Sequence, residues 1–373
     1  MSITAIPEQV RFRLWGKAAG RCQYEGCNKP LWLDPLTKTE FNVAYIAHII
    51  ADKPKGPRGD SVLSEKLKDD ISNLMLMCDE HHRLIDKKDI DGHPVNRLKA
   101  MKERHEKRIE LLSSIDNDMR SHVLFYAARI GEHYSNISFE IAAMAMVPHF
   151  FPTDSRAIEL SLKNSSFTDH EATYWHIEEE HLSRQFTEKV KSRLAVSDIK
   201  HLSIFALAPI PLLVKLGSLL SDIPTAEIYQ LHREPPNWSW QTHYRNEFIV
   251  KYPNSPRGIP AINLSLSATI DDSRISSTFT TDHSIWHLTV KDIGNDFLKS
   301  RDQLAHFRQA FRRLLDRMKA KHSEASAIHI YPAIPVSIAV EIGRVWMPKA
   351  DLPLIIYEQN RKVGGFYPAL KIS

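Results

Sequence analysis

The side chains best suited to chemistry gather in residues 73–86, Asn-Leu-Met-Leu-Met-Cys-Asp-Glu-His-His-Arg-Leu-Ile-Asp. Cys78 and His81 have the spacing at which a thiolate and an imidazole reach one metal ion, and Cys22-x4-Cys27 supplies a second pair. Together they make four ligands, enough for a tetrahedral zinc that staples a region too small to hold itself with a core. The chain has three cysteines, all in this region. A disulfide framework normally uses an even number in a short secreted chain, so a metal site fits better. His82 follows His81 directly. One imidazole of such a pair can complete the structural site while its neighbour points the other way. His48, in the apolar stretch 43–50, and Asn73 join His82 as catalytic candidates. A histidine on an apolar strand is more often a satisfied core residue, so His48 carries weight only within this set.

These residues need elements to position them. A helix over 7–20, with Val10, Leu14 and Trp15 on one side, should stop at Gly20. The Cys22–Cys27 segment is a glycine-containing turn, 41–50 reads as a strand, and 52–60 as a loop broken by Pro54, Gly56, Pro57 and Gly59. A short polar helix over 64–70 leads into the metal stretch. The pattern over 95–112 is helical, with Leu98, Met101, His105, Ile109 and Leu112 on one side and Arg97, Lys99, Lys102, Arg104, Lys107 and Arg108 on the other. That basic face fits either phosphate contacts or a solvated linker helix.

As a set, Ala47-His48-Ile49-Ile50, Asn73 to Cys78 and His81 to Asp86 resemble the HNH endonuclease family, over about residues 10–110. The resemblance implies an α+β, ββα-metal domain at 1–112 with structural Zn²⁺ on Cys22, Cys27, Cys78 and His81. It implies His48 as the general base that activates water against a phosphodiester, and Asn73 as the residue holding the loop and orienting His48. It gives His82 a divalent cation, Mg²⁺ by expectation. Many members carry an Asp or His just before the base, where this chain has Ala47. Asp86, on the same helical face as His82, is the substitute second ligand, and Asp52 is another.

A chain of 373 residues with 43% apolar content has room for two or three domains with real cores. The first residues lack a signal-peptide pattern and no run suits a membrane span, so a cytoplasmic protein is expected. The net charge of +4 is too mild to define a partner. Residues 113–145 read as a linker, with a candidate strand over 122–129. Beyond them an internal repeat appears. Strand 203–207, a Pro-containing turn, an apolar helix ending at Gly217 and strand 226–231 are matched by strand 328–331, Pro332–Pro335, a helix ending near Gly343 and strand 354–357. Superposing Pro209 on Pro335 also superposes Gly217 on Gly343. Each unit is a strand–helix–strand crossover, which predicts an α/β domain over 146–373 made of two Rossmann-like halves, 146–245 and 246–373.

Ligands in such sheets bind beyond the carboxyl ends of strands, where helix N-termini favour phosphate. That geometry nominates Pro209, Pro335 and Ser337, and after the second strand His232, Arg233, Trp238 and Trp240. Arginine suits phosphate and tryptophan suits base stacking, although both tryptophans also suit a core beside Pro235-Pro236. The repeat and the Phe205-Ala206-Leu207-Ala208-Pro209 turn resemble the SAVED domain, a fusion of two CARF-like units that binds cyclic oligonucleotides. HNH fused to SAVED is the architecture of an effector in CBASS anti-phage defence. The resemblance implies a cyclic dinucleotide activator of the cyclic GMP–AMP type, and a homo-oligomer, dimer to tetramer, that degrades double-stranded DNA. Two other readings remain open: a ligand-independent, restriction-type HNH enzyme whose C-terminal half recognises DNA, and a non-catalytic zinc module that binds DNA.

Overall fold

A computed structural model describes residues 5–34, 36–131, 136–162, 165, 167–221, 225–234, 236–241, 244, 247–360 and 364–373. The chain forms two compact units, Met1–Asp116 and Asn117–Ser373. Among the described residues no helix is long and apolar enough to cross a membrane.

In the first unit, helix α1 (Glu8–Ala18) ends where Ala19 and Gly20 turn left-handed, φ 49° and 60°. A Cβ on Gly20 would lie 2.7 Å from the Trp32 ring, so this turn requires glycine. A loop carrying Cys22 and Cys27 leads to β1 (Tyr45–His48), which pairs antiparallel with β2 (Leu74–Met77), His48 opposite Leu74. The expected strand over 41–50 is cut to four residues because β2 offers only four partners. Between the strands, α2 (Leu63–Lys66) is shorter than expected and gives way to a 3₁₀ turn, Ile71–Asn73. After β2, α3 (Asp79–Arg83) runs into one π-helical turn, Leu84–Lys88.

Helix α4 (Val95–Ser113) buries Leu98, Met101 and His105, and the His105 Nε2–H donates to the Ala18 carbonyl at 3.0 Å. It is a packed element, so the reading of a solvated linker helix does not hold. The apolar cluster of this unit is small: Leu14, Leu31, Ile49, residues 74–77, Ile85, Leu98 and Met101 close around Cys22 and Cys78.

The second unit begins with β3 (Arg120–Ala127), buried along nearly its whole length. The stretch 113–145 is therefore not a linker, for β3 sits in the middle of the first sheet. The elements α5 (Phe139–Met146), β4 (Phe151–Pro152), β5 (Ile158–Glu159), α6 (Ala172–Phe186), a π-helical turn and α7 (Ser192–Ala195) follow. Then come β6 (Leu202–Leu207), α8 (Ile210–Leu220) and β7 (Ala226–Ile228). The strands run parallel in the order β4-β3-β6-β7, with β5 also on β3.

The second sheet uses β8 (Phe248–Lys251), β9 (Ile259–Ser265), α9 (Asp272–Ser276), β10 (His283–Val290), α10 (Arg301–Lys321), β11 (Ile328–Ala333), α11 (Val336–Val345), β12 (Leu354–Asn360) and β13 (Gly365–Ile372). Its order is β13-β12-β11-β9-β10-β8, parallel at the centre with antiparallel edges β8 and β13. Both halves are Rossmann-like, each with a β–α–β crossover of adjacent parallel strands.

Helices α8 and α11 pack on each other across the halves. The helices do not end at the repeated glycines but cross there. A Cβ on Gly217 would lie 1.9 Å from the Val340 carbonyl oxygen, and one on Gly343 would lie 2.0 Å from that of Val214. The contacts are reciprocal, so the glycines permit a backbone approach that a side chain would forbid. One apolar cluster runs from Leu124 of β3 through both helices to Ile372 of β13.

Candidate functional site

The ligand atoms of Cys22, Cys27, Cys78 and His81 all lie within 4.8 Å of one another, the only such group of three or more potential metal ligands among the described residues. His81 Nδ1 is 3.1 Å from Cys78 Sγ and 3.8 Å from Cys22 Sγ. Those separations bracket the ~3.5 Å edge of a tetrahedron built on metal–ligand bonds of about 2.0–2.3 Å. Burial pushes the Cys22 thiol well above its ordinary pKa, with repulsion from Cys78 and Cys27 adding to the rise, so three thiolates here call for a cation. Burial lowers the pKa of His81, which keeps the imidazole neutral, as a ligand must be. The four residues can hold a metal ion.

Two residues that sequence reasoning missed brace this centre. Tyr24 stacks on His81, ring centres 4.1 Å apart and 10° from parallel. His93 Nδ1–H donates to the Asp89 carbonyl at 2.6 Å, leaving Nε2 to accept from the Tyr24 hydroxyl at 3.0 Å. The one available signal was the position of Tyr24 inside the Cys22–Cys27 turn.

The expected general base, His48, is buried at the end of β1. Its Nε2–H donates to the Lys68 carbonyl at 2.7 Å, so the lone pair sits on Nδ1. Asn73 is 1% exposed and uses its whole carboxamide on backbone. Its Oδ1 accepts from Ile50 N at 2.8 Å, and its Nδ2 donates to the carbonyls of Ile50 at 2.8 Å and Leu67 at 3.1 Å. It clamps the chain two residues after His48.

His82 is not part of the cysteine cluster. Tyr45 stacks on its ring at 5.0 Å and 16°, and its Nε2–H faces Asp86 Oδ2 at 3.2 Å. Asp86, the expected second cation ligand, is otherwise engaged, for its Oδ1 accepts from Arg58 at 2.6 Å. Burial alone would raise the Asp86 pKa, but the hydrogen bonds from His82 and Arg58 outweigh it and hold the group below its ordinary value. With Ala47 offering no donor, His82 and Asp86 do not form a cation shell by themselves, and neither they nor Asp52 join any group of three close ligand atoms.

In the second unit the sheet orders reverse direction between β3 and β6 and between β9 and β11, so ligand crevices belong at those carboxyl ends. Pro209 and Pro335 are the buried caps before α8 and α11. Ser337 is not open to a ligand: its N–H and hydroxyl both donate to Gln230 Oε1, at 3.2 and 2.7 Å, which plugs the start of α11. Trp238 is core, 4% exposed and edge-on to Phe205 at 5.2 Å. Its neighbour Pro235 lies outside the described residues. His232 is buried with neither ring nitrogen hydrogen-bonded. Its pKa is lowered by burial, and Asp296, 3.7 Å away, opposes that shift.

Of the nominated residues, Arg233 is exposed, and Trp240 lines an open depression of about 300 Å³ with His149, Gln241 and Arg301.

The family comparison covers this second unit. The sequence matches SAVED, the "SMODS-associated and fused to various effectors sensor domain", over residues 182–372, just over half of the chain. No curated protein matches the sequence. Among solved structures the chain is similar to the Acinetobacter baumannii Cap4 SAVED/CARF-domain containing receptor with the cyclic trinucleotide 2′3′3′-cAAA, at 12% identity and a TM-score of 0.44, over 74% of this chain and 60% of that one. It is also similar to the Moraxella osloensis Cap4 SAVED/CARF-domain containing receptor, at 10% identity and a TM-score of 0.41, over 75% of this chain and 59% of that one. It thus spans about 60% of the length of these receptors. The SAVED match takes in α8, α11 and every strand from β6 to β13, and on it this chain belongs to the SAVED sensor-domain family.

Proposed function

We propose that this protein is a DNA endonuclease switched on by a cyclic oligonucleotide, an effector of CBASS-type anti-phage defence. The SAVED unit is its sensor. The N-terminal unit is an HNH-type, ββα-metal nuclease stapled by zinc on Cys22, Cys27, Cys78 and His81. The observation that carries the nuclease reading is the pairing of His48 with Asn73. The buried imidazole is held by the Lys68 carbonyl with Nδ1 free, and the carboxamide locks the chain just beyond it. A base so held takes a proton from water as the water attacks a phosphodiester phosphorus, while the opposite P–O ester bond breaks and the departing oxygen is protonated by water. Zinc is the metal that three thiolates and one imidazole at short paired spacings select. The activator is a cyclic di- or trinucleotide, and assembly into a homo-oligomer couples its binding to cleavage of double-stranded DNA.

The test is plasmid cleavage by the zinc-loaded chain with Mg²⁺, Mn²⁺ or Ni²⁺ and a panel of cyclic GMP–AMP, cyclic dinucleotides and the cyclic trinucleotides 2′3′3′-cAAA and 3′3′3′-cAAA. Size-exclusion chromatography on the same samples follows assembly. Cleavage by wild type with one ligand, and none by His48→Ala, is the expected result. If no ligand ever elicits cleavage, or His48→Ala cuts like wild type, the proposal fails. Ala47 and the engagement of Asp86 favour one second reading, a non-catalytic zinc module that binds DNA under control of the sensor.

A further inference from the structure

The N-terminal unit carries an aromatic surface outside the metal and catalytic residues. Residues 20–43 fold back on themselves through antiparallel bridges, Arg21 with Pro30 and Leu33 with Glu40. Leu31 N donates to the Gly20 carbonyl at 2.9 Å, and Phe41 N to the Trp32 carbonyl at 3.0 Å. That register sets Trp32 directly opposite Phe41, so the two side chains leave the same face of the ribbon. Leu31 beside them is fully buried, but Trp32 is 39% and Phe41 51% exposed. Large aromatic side chains bury the most apolar area when they can, so an exposed pair marks a surface that meets something.

The Trp32 ring is held in place. A Cβ on Gly20 would come within 2.7 Å of it, and the Trp15 ring lies 3.2 Å from that same point. The Arg21 guanidinium sits over the ring, 5.3 Å from its centre, anchored by Nη1–H donating to the Asn28 carbonyl at 3.1 Å. The acids of the segment are engaged or directed elsewhere. Glu25 pairs with Arg104, and Asp34 accepts from the amides of Leu36 and Thr37 in its own loop. Glu40, one residue before Phe41, leaves the other face. The aromatic face therefore presents a cation, which suits a polyanion. The strand of Phe41 also runs on into β1, which ends at His48 seven residues later. At about 3.3 Å per residue the two lie no more than ~23 Å apart, less than the ~34 Å of one duplex turn.

Resting on the nuclease reading of this unit, we propose that Trp32 and Phe41 form a stacking platform for an unpaired base of the DNA substrate, with Arg21 on the adjacent phosphate. A groove reader presents long polar side chains to base edges, whereas this face presents two flat rings. A guanidinium lying over a ring keeps N–H donors for a phosphate. Every base has a π-face, so the platform reads DNA structure and not sequence. The substrate class is duplex carrying an unstacked base, as at a bulge, flap or frayed end, in preference to uninterrupted duplex.

The experiment uses full-length, zinc-loaded protein carrying His48→Ala, so that DNA stays intact, with the cyclic oligonucleotide panel present. Fluorescence anisotropy gives the affinity for a paired duplex and for the same duplex with one unpaired 2-aminopurine, whose emission is quenched on stacking. The bulged duplex should bind about ten- to a hundredfold tighter, the size of one base–aromatic stack, and its emission should fall. Trp32→Ala should remove both the preference and the quenching while leaving the paired duplex nearly as tight, and Trp32→Tyr should restore most of both. Arg21→Gln should weaken both duplexes alike and lower the salt dependence of binding.

No preference for the bulge, or a preference that survives Trp32→Ala, overturns the proposal and leaves the nuclease reading standing. Sedimentation of the same samples tests the rival occupant: loss of self-association in Trp32→Ala with the bulge preference intact assigns the face to a second copy of the chain. Failure to bind DNA under every condition removes the platform and the nuclease reading together. If Trp32→Ala loses its zinc or does not fold, Phe41→Ala, at the more exposed ring, decides by the same two readouts.

Discussion

In the N-terminal unit the apolar cluster closes around Cys22 and Cys78, whereas in the sensor unit one cluster runs unbroken from Leu124 to Ile372. The first has long irregular segments, two four-residue strands and a left-handed turn that only glycine fits. The second has two sheets packed against two central helices. A small core with much loop cannot offset its conformational entropy without a cross-link, while two layered sheets can. The difference teaches that the two units rest on different supports, the second on packing and the first on a small core around residues that can hold a metal ion, and separate experiments can address them.

The largest expected effect comes from removing the metal. Chelation, or Cys78→Ser, should abolish the first calorimetric transition and leave the sensor transition in place. Structural zinc contributes on the order of 10–16 kcal/mol in small metal-stapled folds. Loss of both transitions together would break the comparison. Next is Gly217→Ala. Its new Cβ meets a backbone carbonyl that cannot swing aside, so the sensor should lose at least the ~1–3 kcal/mol typical of overpacking, seen as a lower urea midpoint with the N-terminal transition unchanged. Gly343→Ala should behave alike, and the pair should be non-additive because each strikes the other's helix.

A smaller effect sharpens the contrast by pH. Burial pushes the Glu178 carboxyl, 1% exposed and with Oε2 unpartnered, up to about 7 from its ordinary 4.5. A raised folded pKa means stability that is fully present below pH 4.5 and lost as pH rises through 7. Glu178→Gln should therefore raise the sensor's melting temperature at about pH 8 by a few degrees, do little at about pH 4, and leave the N-terminal transition unmoved. The smallest effect on stability is that of exposed Arg233: Arg233→Ala should shift melting by no more than about 0.5 kcal/mol. It should nevertheless weaken cyclic oligonucleotide binding by calorimetry, on the order of tenfold for one charge-assisted contact. Unchanged affinity would remove Arg233 from the sensor site.

The legibility of each feature depends on how locally its physics is written. Metal ligands come in short paired spacings, so Cys22, Cys27, Cys78 and His81 are readable in the sequence, and so is the β–α–β repeat, whose strands and helix are contiguous. The engagement of Asp86 is not, because Arg58 lies far away in a loop and nothing local announces the pairing. The strand over 122–129 is legible, but its place in the middle of a sheet is not, because its partner β6 comes some eighty residues later. Gly217 is legible as special but reads as a stop. Glycine marks both helix ends and close backbone approaches, and only the partner helix tells which. Trp238 and Ser337 obey the same logic, since a residue near a strand end can face a ligand or fill a core, and here Phe205 and Gln230 take them inward.

The glycine crossing has a mechanical side. The crossing is the point of nearest approach of α8 and α11, and the two helices bury most of their side chains on either side of it. From Gly217 to the start of α8 at Ile210 is about 10 Å of helix, at ~1.5 Å per residue. A turn of roughly 5° about that point therefore swings the helix tip by about 1 Å, at the sheet ends where a sensor ligand would sit. The same length of helix lies between Gly343 and the start of α11 at Val336.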